Sequence, residues 1–131
     1  GGWVSERLGE DRMHRAYAYE SLRNTLGILA LGTDFPVEGI SPLENFRAAV
    51  FRTSETKPVP FRPDEALSAE HALRGMTIWS ALASFEEKEK GSLEPGKVAD
   101  FVLLNRDLMK VNNEEMGSVQ VMDTWVGGVR K

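Results

Sequence analysis

Cysteine is absent from all 131 residues, so the chain has no disulfide framework, no thiolate nucleophile and no cysteine-ligated zinc. That absence leaves the compartment open, with cytoplasm as the default. Long apolar runs are missing too. No stretch approaches the roughly 20 residues needed to span a bilayer, and no signal-peptide pattern opens the chain, so no membrane partner is expected. A basic excess is lacking: 16 Lys and Arg against 20 Asp and Glu leave a net charge of -4. With no local Lys/Arg stripe to offset it, there is no electrostatic footprint for nucleic acid. Histidine is scarce, at two residues. His14 and His71 are not spaced as a ligand pair, and each is expected in a surface or packing role. An initiating methionine is also missing, since the chain begins Gly1-Gly2-Trp3. The expectation is that something upstream has been removed or replaced; a processed start to a complete domain is the other reading.

What is present has the length of about one domain and a 41% hydrophobic fraction of ordinary globular character. Residues 5–26 read as a helix, because Met13, Ala16, Tyr17, Leu22 and Leu26 recur near helical spacing and Gly27 supplies a stop. Ile28-Leu29-Ala30-Leu31 is a continuous apolar run, the length of a strand buried on both faces. Gly32-Thr33-Asp34-Phe35-Pro36 breaks it. Ser41-Pro42-Leu43-Glu44 is a helix start with the parts of a capping box. Residues 53–63, with three prolines, read as a loop. A second helix starts at Ser68 and carries Ala72, Leu73, Met76, Trp79 and Leu82, with Gly75 marking a break or a close contact.

After Phe85 the texture changes. Residues 86–90 are a solvated charge run, and Glu94-Pro95-Gly96-Lys97 has the residues of a type II turn. Residues 98–104 and 119–126 read as strands, with Gly127-Gly128 as a hairpin turn, and the sequence stops after Val129-Arg130-Lys131, about where a return strand would begin. Met76, Trp79 and Phe85 are expected in the core and Trp125 in sheet packing. Asp100 is expected to satisfy backbone donors near its strand. A strand apolar on both faces needs neighbours, and two or three terminal strands make an incomplete sheet. Both halves therefore read as parts of something larger.

Two segments carry a resemblance. Leu29-Ala-Leu-Gly-Thr-Asp-Phe-Pro-Val37 is similar to the end of the eighth barrel strand in metal-dependent hydrolases of the amidohydrolase superfamily. Gly91-Ser-Leu-Glu-Pro-Gly-Lys-Val-Ala-Asp-Phe-Val-Leu-Leu104 resembles the start of the returning sheet in their small β-sandwich. Leu67-Ser-Ala-Glu-His-Ala-Leu73 stands where the family has a helix start, with His71 replacing a usual Glu and Thr33 replacing a Ser. Asp-Phe-Pro-Val is typical of the branch with D-aminoacylases and N-substituted formamide deformylases.

The resemblance implies an α/β fold. Residues 1–85 would be the last strand and flanking helices of a (β/α)8 barrel, and residues 86–131 the C-terminal part of a composite β-sandwich. It implies a parent hydrolase acting on C–N bonds of small amides, formamides or N-acyl compounds. Asp34 would be both the catalytic carboxylate and a metal ligand, at the strand end where such barrels build their sites. A divalent metal, with zinc expected, would belong to the parent, whose other ligands would lie upstream. One carboxylate does not hold a catalytic zinc, so this chain alone is expected to bind no metal and to be inert. The expected partner is a small amide, and homo-oligomerisation is left open. Set against this, an Asp in a Gly-x-Asp turn also serves as an Asx turn or helix cap. The chain also reads as an autonomous non-enzymatic binding or regulatory module, or as a packing subunit completing another chain's barrel.

Overall fold

Helix formation near the start of the chain is interrupted where tertiary contacts compete for its carbonyls. The computed structural model describes residues 4–131; Gly1, Gly2 and Trp3, which the expected first domain included, lie outside the described residues. Instead of one helix over 5–26 there are three: α1 (Val4–Leu8), α2 (Glu10–Met13) and α3 (Tyr19–Leu26). Gly9, at φ 72°, separates the first two, and Tyr17, at φ 52°, lies between the second and third. The Arg62 guanidinium takes the carbonyls of Met13 (3.0 Å), His14 and Ala16 (3.3 Å), which holds this turn out of the helix. Helix α3 ends as expected at left-handed Gly27, φ 80°, whose N–H reaches Arg23 O at 2.7 Å.

The turn belongs to a larger polar hub. Glu65 accepts from the Ser21 N–H (2.9 Å) and hydroxyl (2.6 Å), tying α3 to a 3-10 turn at Pro63–Glu65. Arg62 Nη2 bonds Asp64 at 2.6 Å and lies 3.4 Å from Glu65. Buried Arg52 donates to Phe61 O (3.0 Å) and Tyr17 O (3.1 Å) and sits 4.9 Å from the centre of the Tyr19 ring. Burial pulls the Arg52 guanidinium below its ordinary pKa and pushes the Tyr19 phenol above its own.

Residues 28–31 form neither strand nor helix, which corrects the expected strand. A buried strand is defined by its ladder, and among the described residues no strand lies beside them. Leu31 instead bonds to the helices, its N–H to Gly75 O at 2.9 Å and its carbonyl to the Ser80 hydroxyl at 3.2 Å. Helix α4 (Pro42–Val50) has Ser41 as its cap, accepting from Glu44 N at 3.3 Å. The Glu44 carboxylate turns to Arg47 (3.5 Å) rather than to the cap, so half of the box forms. Helix α5 (Ala69–Met76) is capped by Ser68, and α6 (Ile78–Ala83) follows. The break falls at Thr77 (φ −125°, ψ −98°), and Gly75 is the close contact: a Cβ there would meet Leu29 O and Leu31 Cγ at 2.8 Å each.

The type II turn forms, with Lys97 N reaching Glu94 O at 3.1 Å and Gly96 at φ 93°. The sheet is antiparallel: β1 (Phe101–Leu104), β2 (Val121–Val126) and β3 (Val129–Arg130), in that order. The strands are shorter than expected, because Asp100 N turns back to Val98 O and Val119 is drawn into the core. Phe101 pairs with Trp125 and stacks on it at 5.6 Å. Asp100 Oδ1 accepts from Gly127 N at 2.7 Å, the backbone role expected of it.

Phe46 is fully buried among Ala49, Leu67 and Ala72, with Met116 and Val119 closing over it. One core thus draws on residues from both sides of position 85. Phe85 is not in that core, contrary to expectation: it is 92% exposed. It occupies a left-handed position, φ 61°, after α6, with Glu86 N bonded to Ala81 O and Phe85 N to Leu82 O. That is a Schellman ending with Phe where Gly is usual, and it turns the ring to solvent. Met76 packs against the core, and half-buried Trp79 stacks on His71.

Gly75→Ala should destabilise the chain. Overpacking against a backbone oxygen costs about 1–3 kcal/mol, against the ~1 kcal/mol by which Ala is the better helix former. Urea unfolding checks this, and an unchanged or raised midpoint contradicts the contact. The hub should show acid lability. The Ser21 hydroxyl, then the Ser21 N–H, hold the Glu65 carboxyl below its ordinary value. With the folded pKa depressed, the unfolded chain binds more protons between the two values. The Glu65 contribution is therefore present above the ordinary carboxylate range and lost as pH falls through the folded pKa. Glu65→Gln should be less stable than the parent at neutral pH, and the gap should close in acid; a gap that ignores pH contradicts the assignment.

Candidate active-site turn

Asp34 sits where residues 28–33 give way to a tight turn. The Thr33 hydroxyl accepts the Phe35 N–H at 3.3 Å, and the Asp34 carbonyl accepts the Val37 N–H at 2.8 Å. Asp34 has φ 55°, a left-handed conformation that Asp tolerates better than most residues, and the Phe35–Pro36 peptide is cis. The turn is therefore built by a threonine hydroxyl and main chain. The Asp34 side chain is exposed, and among the described residues its carboxylate has no hydrogen-bond or ion-pair partner. An Asx turn or a helix cap would have tied that carboxylate to a backbone N–H, and it is not tied. Phe35 and Val37, next to it in the turn, are exposed as well.

The two histidines are engaged elsewhere. His71 lies 5.8 Å from Trp79 between ring centres, and its Nδ1 is buried without a hydrogen bond. His14 Nε2 accepts from Arg15 Nε at 3.2 Å. Among the described residues no three His, Cys, Asp or Glu are grouped to hold a metal ion. A catalytic zinc takes three protein ligands and an open position. Asp34 is not joined by two further protein ligands, so the described residues do not by themselves fit a metal.

Three residues that hold the surrounding framework went unassigned in the sequence: Arg52 and Arg62 in the hub, and Ser80 beside Leu31. The hub arginines, Arg52 and Arg62, carry no sequence signal, since nothing local marks the carbonyls they collect. Ser80 lay in an apolar helical run, where a lone hydroxyl signals a need for a partner. Its partners are Gly75 O at 2.6 Å and Leu31 O at 3.2 Å.

Residues 1–130 match the family model described as the amidohydrolase family. The chain belongs to that family. This amidohydrolase-family chain is 39% identical over 126 residues to Protein LONG AFTER FAR-RED 3 of Arabidopsis thaliana, covering 95% of this chain and 21% of that protein. It is 36% identical over 122 residues to the N-substituted formamide deformylase of Arthrobacter pascens, covering 92% of this chain and 22% of the deformylase. A crystal structure described as an uncharacterized metal-dependent hydrolase of Pyrococcus horikoshii matches with a TM-score of 0.73 and 33% identity, over 86% of this chain and 23% of that one. The chain spans between 21% and 23% of the length of these relatives.

Ligand count gives a direct test. After exhaustive dialysis, metal analysis of the 131-residue chain should find zinc far below stoichiometric amounts. Stoichiometric zinc that disappears in Asp34→Ala would reveal a site these residues do not display.

Proposed function

We propose that this chain is part of a metal-dependent hydrolase that opens C–N bonds in small amides, formamides or N-acyl compounds, with Asp34 as its catalytic, metal-facing carboxylate. The observation that carries the reading is the uncommitted Asp34 carboxylate on a turn that other groups build. The names of the deformylase relative and of the metal-dependent hydrolase neighbour support the reaction class and the metal.

In this proposal residues 1–85 contribute the closing strand and flanking helices of a (β/α)8 barrel. Residues 86–131 contribute half of a composite β-sandwich. The apolar run at 28–31, without ladder neighbours in the described residues, would find them in the barrel's other strands. Exposed Val102, Leu103, Val121 and Met122 would be covered by the rest of the sandwich. The metal, for which zinc is proposed, supplies Lewis acidity and brings the pKa of a water toward neutrality when bound. Asp34 Oδ accepts a proton from the attacking water and returns it to the departing nitrogen. Lacking the other ligands, the 131-residue chain by itself should be inert.

The test is Asp34→Asn in the full-length protein. Asn keeps the shape of the turn, whose hydrogen bonds come from the Thr33 hydroxyl and the main chain. It cannot take a proton from water, so kcat should fall by about 10²- to 10⁴-fold while Tm and metal content stay near those of the parent. A metal-loaded variant that keeps more than roughly a tenth of the activity, well above the loss expected for a missing general base, overturns the assignment.

A further inference from the structure

We infer that Ser80 is a positioning residue for Asp34, clamping the main chain that carries it through the Gly75 carbonyl; this rests on the Asp34 reading above. The last carbonyls of a helix have no partner within it. Gly75 O is one of these, because Thr77 ends α5 two residues later. It accepts two donors, the Leu31 N–H at 2.9 Å and the Ser80 hydroxyl at 2.6 Å, one for each lone pair. The same hydroxyl lies 3.2 Å from Leu31 O. Ser80 has one proton, so the shorter contact takes most of it and the longer is the weaker branch of a bifurcated bond. Both polar main-chain groups of Leu31 are thereby fixed to the α5–α6 junction. The missing Cβ at Gly75 permits the approach, since a methyl would stand 2.8 Å from Leu29 O.

Only Gly32 and Thr33 separate this anchor from Asp34. Gly32 has no stiffness of its own, and Thr33 is held by its bond to Phe35 N. The Asp34 carboxylate has no partner of its own among the described residues, so within these residues the main chain sets where its Cα stands. Ser80 therefore acts on Asp34 through residue 31 without touching substrate.

The experiment compares Ser80→Ala with Ser84→Ala in the full-length protein. Ser84 is a control on the turn after α6, where its hydroxyl bonds Ser80 O at 3.2 Å and does not reach residues 28–34. Ser80→Ala should speed amide exchange at Leu31 and lower kcat by roughly 10- to 100-fold, as displacement by about an ångström does. KM should stay within about twofold of the parent value, the signature of a contact that matters only at the transition state. Ser84→Ala should change neither exchange at Leu31 nor kcat. The inference is overturned if Ser80→Ala leaves both at parent level, or if Ser84→Ala lowers kcat equally. It is also overturned if Leu31 exchange rises with kcat intact in a protein that Asp34→Asn inactivates. An active Asp34→Asn enzyme would instead defeat the underlying functional reading, whatever the exchange at Leu31.

Discussion

The Arg62 guanidinium is the joint on which the first part of the chain hangs. It gathers three carbonyls from residues 13–16 and meets the carboxylates of Asp64 and Glu65 on its other side. Glu65 in turn holds the first turn of α3 through Ser21. A planar fork of donors suits such a task better than a lysine's point charge would. Arg52 repeats the device one layer in, its guanidinium between Tyr19 and Phe61 and its donors on two further carbonyls. Without these cations α1 and α2, each five residues or fewer, would have little to hold them, because helices that short are unstable alone. The path into residues 28–34 begins at α3, so the place of the candidate site depends on this hub.

Where local chemistry suffices, the residues announced their structure. Gly27 ended a helix, Ser41 and Ser68 capped two, and Pro95-Gly96 made the turn. Phe101 stacked on Trp125, and Asp100 met a backbone N–H. Each of these is decided within a few residues or within one hairpin. The misreadings share a different cause. The helix over 5–26 failed because an arginine some fifty positions away captured its carbonyls. The strand at 28–31 failed because a strand is a relation between segments, and its apolar pattern states a need without supplying a partner. Phe85 failed because backbone handedness at a helix end outranked side-chain hydrophobicity.

The candidate site divides along the same line. Asp34 was visible because its motif is contiguous, and the structure adds which groups build the turn around it. Ser80 was not visible, since its meaning lies in a carbonyl that a helix break exposes and an extended segment claims. A hydroxyl that serves two oxygens on different elements leaves no pattern in its own neighbourhood. The family match and the turn geometry bear on separate questions: one concerns ancestry, the other which atoms are left free to act.

Phe46 lies under Met116 and Val119, residues that follow it by about seventy positions. A boundary drawn at residues 85 and 86 follows the change in texture from helices to strands, but it runs through this shared hydrophobic cluster. Excising the C-terminal segment would remove Met116 and Val119 from the cluster around Phe46. Opening of either part therefore uncovers apolar surface on the other, which couples the two across positions that the chain's texture divides.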